Sequence, residues 1–316
     1  MNYRHLGKYG VRVSEVALGS WLTYGGATEN ETARQCIEKA YDLGINFFDT
    51  ANGYARGKSE EVVGQVLAQY SRSSYFLATK VYFPMGDGPN DRGLSRKHLF
   101  EQCHASLKRL NMDYIDLYQC HRYDTETPLE ETLQALDDLA RQGKILYAGV
   151  SQWSAGQIAH AGDLTRAHGW HPIVSNQPSY SLVVRDIEAE VIPVCEREGI
   201  GQIVYSPLAQ GLLTGKYKPG QPLPEGSRAT DPSQNMFLNR GQLDQALLEK
   251  VQKLEPIAQS VGLSLSQLAL AWCLRQKNVS SVIIGASKPS QVEDNAGAAG
   301  KPLTPDVLAA IETAWA

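Results

Sequence analysis

Cysteine is scarce in this chain: its 316 residues include only five, scattered and without a Cys-x-x-Cys pair. An odd number at irregular spacing indicates neither a disulfide framework nor a zinc site. Excess positive charge is absent as well, because 30 Lys and Arg residues are outnumbered by 34 Asp and Glu residues, giving a formal net charge of −4. The composition therefore offers no basic surface for nucleic acid or anionic lipid.

Long apolar runs are also missing. No stretch approaches the roughly 20 residues that a membrane-spanning helix needs, and residues 1–5 lack the apolar segment of a signal peptide. We therefore expect a cytoplasmic protein that does not insert into a membrane. The hydrophobic fraction of 42% is ample for a core, and no repeat or linker divides the chain. The expectation is a single domain over residues 1–316.

Short apolar runs recur along the chain and alternate with amphipathic helical patterns, such as that over residues 129–142. Runs that are apolar throughout are typical of strands covered on both faces. Eight strand–helix units predict a parallel sheet closed into a (β/α)8 TIM barrel. An open doubly wound sheet is less favoured, because no Gly-x-Gly-x-x-Gly turn follows the first strand. The predicted strands are 15–18, 46–49, 75–79, 115–119, 145–150, 173–176, 201–205 and 282–284.

Two segments fall outside this repeat. Residues 3–13, with Gly7 and Gly10 in a turn, predict a β-hairpin ahead of the barrel, placed as a plug at its amino-terminal end. Residues 206–241 form a long segment rich in Gly and Pro after strand 7. A loop of that length in a compact domain is usually functional or disordered, and its position after a strand predicts that it covers the rim of the barrel.

Three of the predicted strands end in an ionisable residue. The apolar run 46–48 leads into Asp49, with Tyr54 in the loop that follows, and two later runs end in Lys80 and His121. The carboxyl ends of barrel strands converge on one rim, so we expect these four side chains to meet. Each alone has a structural explanation, such as capping for Asp49 or packing for Tyr54. The combination at strand ends is much more specific.

Together these four residues suit the protonation of a carbonyl oxygen. Lys80 would stabilise the phenolate of Tyr54 and lower the phenol's pKa from its free value of about 10. Asp49 would hold the ammonium in place, and Tyr54 would then act as a proton donor. His121 would donate a hydrogen bond that orients the substrate. Side chains supply no hydride, so a nicotinamide cofactor is implied.

A resemblance to a known family rests on residues 18–21, 44–54, 93–98, 127–132, 206–209 and 283–295. In these segments, and from Leu6 to the last helix, the chain resembles the aldo-keto reductases. It is most similar to the branch of the potassium-channel β-subunits and their bacterial relatives. That family is an eight-stranded barrel that binds NADP(H) without a Rossmann fold. Its catalytic tetrad maps onto Asp49, Tyr54, Lys80 and His121, with the tyrosine as proton donor.

The resemblance also implies cofactor contacts. Ser151, Asn176 and Gln177 match positions that hold the nicotinamide carboxamide. Tyr205 matches an aromatic that stacks on the nicotinamide ring, and Ser206 begins a loop that crosses the pyrophosphate. A helix N-terminus near the end of the chain would receive the adenosine phosphate. The complete set of implied cofactor positions is Ser20, Trp21, Asp49, Ser151, Gln152, Asn176, Gln177, Tyr205, Ser206, Pro207, Leu208, Ala209, Gly211, Lys216, Arg228, Gly285, Ser287, Gln291, Asp294 and Asn295.

The chain departs from the channel β-subunit pattern at five positions. His121 stands where those subunits carry Asn, which favours the catalytic version. Gln152 replaces an Arg and Ala27 a Gln, so the corresponding cofactor contacts are in doubt. Asp294 replaces a Glu, which shortens an adenine contact, and Tyr205 replaces a Trp.

The leading interpretation is NADPH-dependent reduction of an aldehyde or ketone to an alcohol. The alternative is a regulatory protein, similar to channel β-subunits, that binds NADPH and turns over slowly. A metal-dependent barrel hydrolase is disfavoured, because no His-x-His pair lies on an early strand. The resemblance leaves the number of subunits open and admits a homo-oligomer. The aromatic residues predicted at the rim are Trp21, Tyr24, Tyr54, Tyr82 and Phe83. A pocket of this kind would suit small aldehydes, aryl aldehydes and methylglyoxal-like dicarbonyls. Packing at the barrel mouth explains Trp21 and Tyr24 equally well.

Overall fold

Eight parallel strands close into a barrel surrounded by helices. The computed structural model describes residues 1–21, 24, 30–231, 235, 238 and 243–315. The barrel follows the order β10-β3-β4-β5-β6-β7-β8-β9 and closes between β10 and β3. Its strands are β3 (Val16–Gly19), β4 (Phe47–Asp49), β5 (Phe76–Val81), β6 (Ile115–Cys120), β7 (Ile145–Ser151), β8 (Ile173–Gln177), β9 (Gly201–Val204) and β10 (Val279–Ile284). The predicted (β/α)8 barrel is confirmed.

The surrounding helices follow the barrel strands. α8 is buried along its whole length, whereas α4 has an apolar stripe at helical spacing and a solvated face. The described helices are α1 (Asn30–Asp42), α2 (Lys58–Leu67), α3 (Arg96–Leu110), α4 (Leu129–Arg141), α5 (Ala155–His168), α6 (Val191–Glu198), α7 (Gln245–Ser260), α8 (Leu265–Leu274), α9 (Pro289–Ala296) and α10 (Pro305–Trp315).

An antiparallel hairpin, β1 (Tyr3–His5) and β2 (Arg12–Ser14), closes the amino-terminal end of the barrel. Leu6 and Val13 are fully buried in the cluster that fills the barrel interior. Lys8 N donates to the Gly199 carbonyl at 2.9 Å. Gly7 has a φ of +59°, and a Cβ there would collide with Gly199 and the start of β9, so this close approach requires glycine. The predicted hairpin is therefore confirmed.

The strand pleat decides which residues reach the barrel interior. In β4, Phe47 belongs to the interior cluster and Phe48 to the layer between strands and helices. Successive side chains of a strand point to opposite faces, so Asp49 returns to the interior. The same alternation in β5 leads from Phe76 and Ala78 inward to Lys80.

The other strands follow this rule. In β6 the inward series runs from Leu117 through Gln119 to His121, while Tyr118 and Cys120 pack outward. In β4, β5 and β6 the inward series is apolar near the hairpin and polar near the carboxyl end. These strands therefore form an apolar floor beneath a polar mouth.

All eight predicted strands differ from the structure at one end or both, by one or two residues except at the start of β10. β9 stops at Val204, and Tyr205 makes only an isolated bridge with Ser179. β10 begins at Val279, three residues before the predicted start, with an irregular register between Val279 and Ser281. Ser280 and Ser281 interrupt the apolar pattern near the beginning of this strand, so the pattern predicts only its last three residues.

No single helix among the described residues has the length and apolar composition needed to cross a membrane. Helices α7 and α8 meet those criteria only when taken together, and they are bent by 88° relative to one another.

Candidate active site

A cavity of about 1030 Å³ opens at the carboxyl ends of the strands. All eight barrel strands, or the residues just after them, contribute to its lining. We call the part formed after β3, β4, β5 and β6 the β3–β6 side, and the part formed after β7, β8, β9 and β10 the β7–β10 side. The predicted long segment after β9 lines the latter side as far as Arg228.

Lys80 lies at the centre of the predicted tetrad. Its ammonium is fully buried and donates to Asp49 Oδ1 at 2.5 Å, to the Thr50 carbonyl at 2.8 Å and to the Tyr54 hydroxyl at 3.3 Å. Burial alone would lower the pKa of Lys80, but the charge of Asp49 and the Tyr54 oxygen outweigh it and raise the pKa above its usual value. Lys80 is therefore a charged ammonium held in place by its neighbours.

Asp49 is held by two amides in addition to Lys80. Its Oδ2 accepts from Gln177 Nε2 at 2.9 Å and from Gln119 Nε2 at 3.4 Å. A buried carboxylate needs a paired charge and hydrogen bonds to offset its desolvation. Gln177 was predicted as a cofactor ligand, and in this structure its amide nitrogen donates its hydrogen bond to Asp49.

Tyr54 begins a 3-10 turn, Tyr54–Gly57, directly after β4. Burial raises the pKa of its phenol above 10.0, and the charge of Lys80 opposes that rise without reversing it. The expectation of a net lowering by Lys80 is therefore wrong in sign, because desolvation of the phenolate exceeds the attraction of the ammonium. Tyr54 consequently holds its proton at neutral pH, the state that a proton donor requires.

His121 follows β6 and is 8% exposed. Its ring contacts Tyr54 edge-on, with centroids 5.6 Å apart. Burial lowers the pKa of His121 well below 6.5, and the charges of Lys80 and Arg122 add to that effect. Its Nδ1 is buried without a hydrogen-bond partner among the described residues. At neutral pH this histidine is a neutral imidazole with one N–H to donate.

The comparisons with known proteins agree with this geometry. The model of the Aldo/keto reductase family matches residues 15–316. The chain belongs to the aldo/keto reductase family. It is 44% identical over 318 aligned positions to a probable voltage-gated potassium channel subunit beta of Arabidopsis thaliana, covering 99% of this chain and 96% of the relative. The corresponding protein of Oryza sativa subsp. japonica is 42% identical, with 99% and 96% covered. A putative voltage-gated potassium channel subunit beta of Schizosaccharomyces pombe is 41% identical, with 98% and 92% covered.

Most of the predicted cofactor positions line the cavity. Three do not. Ser20 is buried and accepts from Ser59 Oγ at 2.7 Å, Gln152 is exposed and donates to the Tyr205 hydroxyl at 2.5 Å, and Asn176 is fully buried. The predicted positions that line the cavity are Trp21, Asp49, Ser151, Gln177, Tyr205, Ser206, Pro207, Leu208, Ala209, Gly211, Lys216, Arg228, Gly285, Ser287, Gln291, Asp294 and Asn295.

Strained backbone lies around the mouth of the barrel. Non-glycine residues with positive φ include Ala55 (47°), Gln152 (59°), Ser206 (53°), Ala209 (46°) and Gln210 (59°). Such conformations cost on the order of 1–3 kcal/mol each and tend to cluster at functional sites. All five follow β4, β7 or β9, so the strain lies beside the cavity.

Two predicted rim aromatics do not line the cavity. Tyr24 is 2% exposed and packs in the layer between strands and helices, where it contacts Cys36. Tyr82 packs against the same layer and contacts the Phe83 ring edge-on. For Tyr24 the structure favours packing, one of the two alternatives that the sequence left open. For Tyr82 the prediction of a rim position is wrong, because Tyr82 and its neighbour Phe83 point to opposite sides and only Phe83 lines the cavity. Trp21, Tyr54 and Phe83 do line the cavity.

Several residues that line the cavity were not predicted from the sequence. Arg122 directly follows His121, and Ser179, Ser181 and Val184 follow β8. The one available signal for the first was its position directly after His121. The other three occupy a loop whose path no sequence pattern revealed. The departure noted at Ala27 lies outside the described residues.

Proposed function

We propose that the protein reduces aldehydes or ketones to alcohols with NADPH. The observation that carries this proposal is the Asp49–Lys80–Tyr54 chain of hydrogen bonds, with neutral His121 beside it at the cavity. A protonated phenol next to a fixed ammonium is suited to donate a proton and then carry the resulting negative charge.

Each of these residues has a distinct role towards a bound carbonyl compound. His121 donates its N–H to the carbonyl oxygen and orients it. Tyr54 transfers its hydroxyl proton to that oxygen as the carbon becomes tetrahedral. Lys80, held by Asp49, stabilises the phenolate that remains, and the phenol is later restored by proton uptake. The apolar side chains beneath the site lower the local dielectric constant and so strengthen each of these electrostatic interactions.

Members of this family generally bind NAD(P)H, and the β7–β10 side fits such a molecule. Ser151 and Gln177 line the cavity at the ends of β7 and β8, and their hydroxyl and amide oxygens suit the amide hydrogens of a carboxamide. Tyr205, which lines the cavity after β9, offers an aromatic face for the nicotinamide ring. When bound here, the nicotinamide supplies the hydride.

Three cations, Lys216, Arg228 and Lys288, outnumber the carboxylates Glu225 and Asp294 on the β7–β10 side, and this balance favours a phosphorylated cofactor. Arg228 donates to Gln210, and within the described part of the chain neither Arg228 nor Lys216 pairs with a carboxylate. Burial lowers the pKa of Arg228, as expected for a cation lacking a counter-charge. Ser287 and Gln291 add polar groups to this side at the start of α9. The backbone N–H of Ser287 donates to Gln291 Oε1 at 2.8 Å. A cofactor with a 2′-phosphate provides the missing negative charge.

A second candidate function is suggested by the names of the three relatives. On that hypothesis this chain, like a channel β-subunit, binds NADPH, turns over slowly and reports its redox state to a membrane protein. Both hypotheses place the same cofactor in the cavity. They differ in the rate of steady turnover.

The test is an assay of NADPH oxidation with a panel of small, aryl and dicarbonyl substrates. At about 1 µM enzyme, typical turnover numbers give a measurable loss of NADPH within minutes. Turnover of about 1 s⁻¹ or faster on any of them supports the reductase. NADPH binding with no turnover beyond one equivalent would favour the regulatory function. Size-exclusion chromatography with light scattering would test the accompanying proposals of a single barrel domain and a homo-oligomer.

A further inference from the structure

Arg122 places a cation on the β3–β6 side of the cavity. It directly follows His121 and lines the cavity. Its Nη1 donates to the backbone carbonyl of His121 at 2.6 Å, and its guanidinium carbon lies 5.5 Å from the centroid of Phe83. No carboxylate within the described residues lies within ion-pair distance of this guanidinium. Four of its five N–H groups therefore have no protein acceptor among them.

The other charges on the β3–β6 side cancel. Asp49 and Lys80 form an ion pair at 2.5 Å, and His121 is neutral for the reasons given above. Trp21, Tyr54 and Phe83 add aromatic surface without charge. Arg122 is consequently the uncompensated charge among the described lining residues of this side, and the positive potential reaches the place where a carbonyl compound would lie.

The cofactor does not account for this cation. The candidate phosphate ligands Lys216 and Arg228 follow β9, which is separated from β6 by β7 and β8 in the barrel order. Arg122 instead directly follows His121, one of the two groups that would contact the substrate oxygen. The ring of Phe83 lies 4.9 Å from that of His121, so Phe83 contacts both His121 and Arg122 and forms an apolar wall between them.

We propose that Arg122 binds an anionic group of the substrate, and that the preferred substrates are aldehydes or ketones that carry a carboxylate or phosphate. This inference rests on the proposed reductase function and defines its substrate class. The guanidinium fork matches a carboxylate or phosphate through two parallel hydrogen bonds. Phe83 and Trp21 would contact the carbon skeleton between the anion and the carbonyl group.

The competing explanation is structural. Arg122 would then only fix the His121 backbone and cover Phe83, and its loss would affect neutral and anionic substrates alike. A matched pair of substrates separates the two explanations: 4-carboxybenzaldehyde and its methyl ester, with 4-formylphenyl phosphate as the phosphate arm. The variants are Arg122→Gln and Arg122→Lys. Arg56→Gln is the control, because Arg56 is an exposed cation after β4 that does not line the cavity.

We expect Arg122→Gln to lower kcat/KM for an anionic aldehyde at least about tenfold more than for the ester, the effect of losing one charge-assisted hydrogen bond. The loss should appear mainly in KM. Arg122→Lys should keep part of the preference, and Arg56→Gln should keep all of it. The relative size of the effect on carboxylate and phosphate identifies which anion the site prefers. Equal losses on ester and acids would overturn the proposal and leave the reductase function intact.

Binding provides a readout that needs no turnover. Benzoate and benzamide are titrated calorimetrically into the full-length protein with NADP+ present and absent. We expect Arg122→Gln to weaken benzoate binding at least about tenfold and benzamide binding much less. That result, in a protein that oxidises no NADPH, would support the anion site while rejecting the reductase function. Benzoate binding that is the same in both proteins would reject the anion site.

Discussion

The ammonium of Lys80 lies 3.3 Å from the phenol oxygen of Tyr54. The two residues come from different strand ends, Lys80 from β5 and Tyr54 from the turn after β4. Their proximity follows from the pleat of β5, which returns every second side chain to the barrel interior, and from the tight 3-10 turn that brings Tyr54 over the mouth. The charge and the proton donor are thereby fixed before any substrate arrives.

Replacing Lys80 with Met should abolish most carbonyl reduction. The variant removes the charge that stabilises the phenolate, and we expect kcat to fall by about 100-fold or more. It also leaves Asp49 buried with only two amide partners, so the free energy of unfolding should decrease by several kcal/mol, roughly 3–5 for a broken buried pair. The double variant Asp49→Asn with Lys80→Met should recover stability and remain inactive. A Lys80→Met protein with most of its kcat would contradict the assigned role.

Replacing His121 with Asn should slow reduction while preserving the fold. Asn keeps an N–H donor but not the ring contacts with Tyr54 and Phe83, so we expect kcat/KM on a good aldehyde to fall roughly tenfold or more. Steady-state kinetics of both proteins on one substrate provide the measurement. Equal kcat/KM values would remove the reason to treat His121 as a catalytic group.

The free energy of unfolding should depend on pH through His121. The pKa in the folded protein lies well below the usual 6.5 because the ring is buried near Lys80 and Arg122. Above pH 6.5 both states hold a neutral ring, and the contribution to stability is complete. As the pH falls below that value, the unfolded chain takes up a proton that the folded chain does not, so stability is lost until the folded pKa is passed.

Urea unfolding near pH 7.5 and near pH 5.5 tests this dependence. The wild type should lose about 1 kcal/mol more than His121→Asn over that interval, since a shift of one pH unit corresponds to about 1.4 kcal/mol. Other ionisable groups act in both proteins and cancel in the comparison. Identical losses would show that His121 is not held neutral by the fold.

The cofactor preference should depend on the uncompensated cations of the β7–β10 side. We expect NADPH to bind at least about tenfold more tightly than NADH, because one charge-assisted hydrogen bond to the 2′-phosphate contributes about 1.5–3 kcal/mol. Arg228→Gln should weaken NADPH binding and leave NADH binding nearly unchanged. Arg197→Gln, which changes an exposed arginine on α6, is the control. Fluorescence titrations with equal dissociation constants for both coenzymes would reject the phosphate assignment.

The barrel and the meeting of the tetrad were accessible from the sequence because both follow from strand periodicity. Eight apolar runs predict the closed parallel sheet, and the inward register at Asp49, Lys80 and His121 follows from counting residues along each strand. The start of β10 was missed because Ser280 and Ser281 interrupt its apolar pattern. The family resemblance added the set of cofactor positions, most of which border the cavity.

Side-chain packing, pKa shifts and charge balance that depend on several structural elements at once could not be predicted from the sequence. Tyr24 packs in the layer between strands and helices, and its sequence position alone left this packing and a place at the rim equally open. The net shift of the Tyr54 pKa depends on how much water is removed from the phenol, which no spacing reveals. Arg122 resembled an ordinary surface arginine in the sequence. Its significance arises because the neighbouring charges are paired with one another.

The most direct test of the account compares wild type with Tyr54→Phe in NADPH oxidation by a good aldehyde. The variant keeps the ring and removes only the hydroxyl that would donate the proton. We expect kcat to fall by at least about 100-fold, while NADPH affinity, measured by fluorescence titration, stays within about threefold, well under 1.4 kcal/mol. A variant that retains most of the wild-type kcat would contradict Tyr54 as the proton donor and, with it, the proposed mechanism.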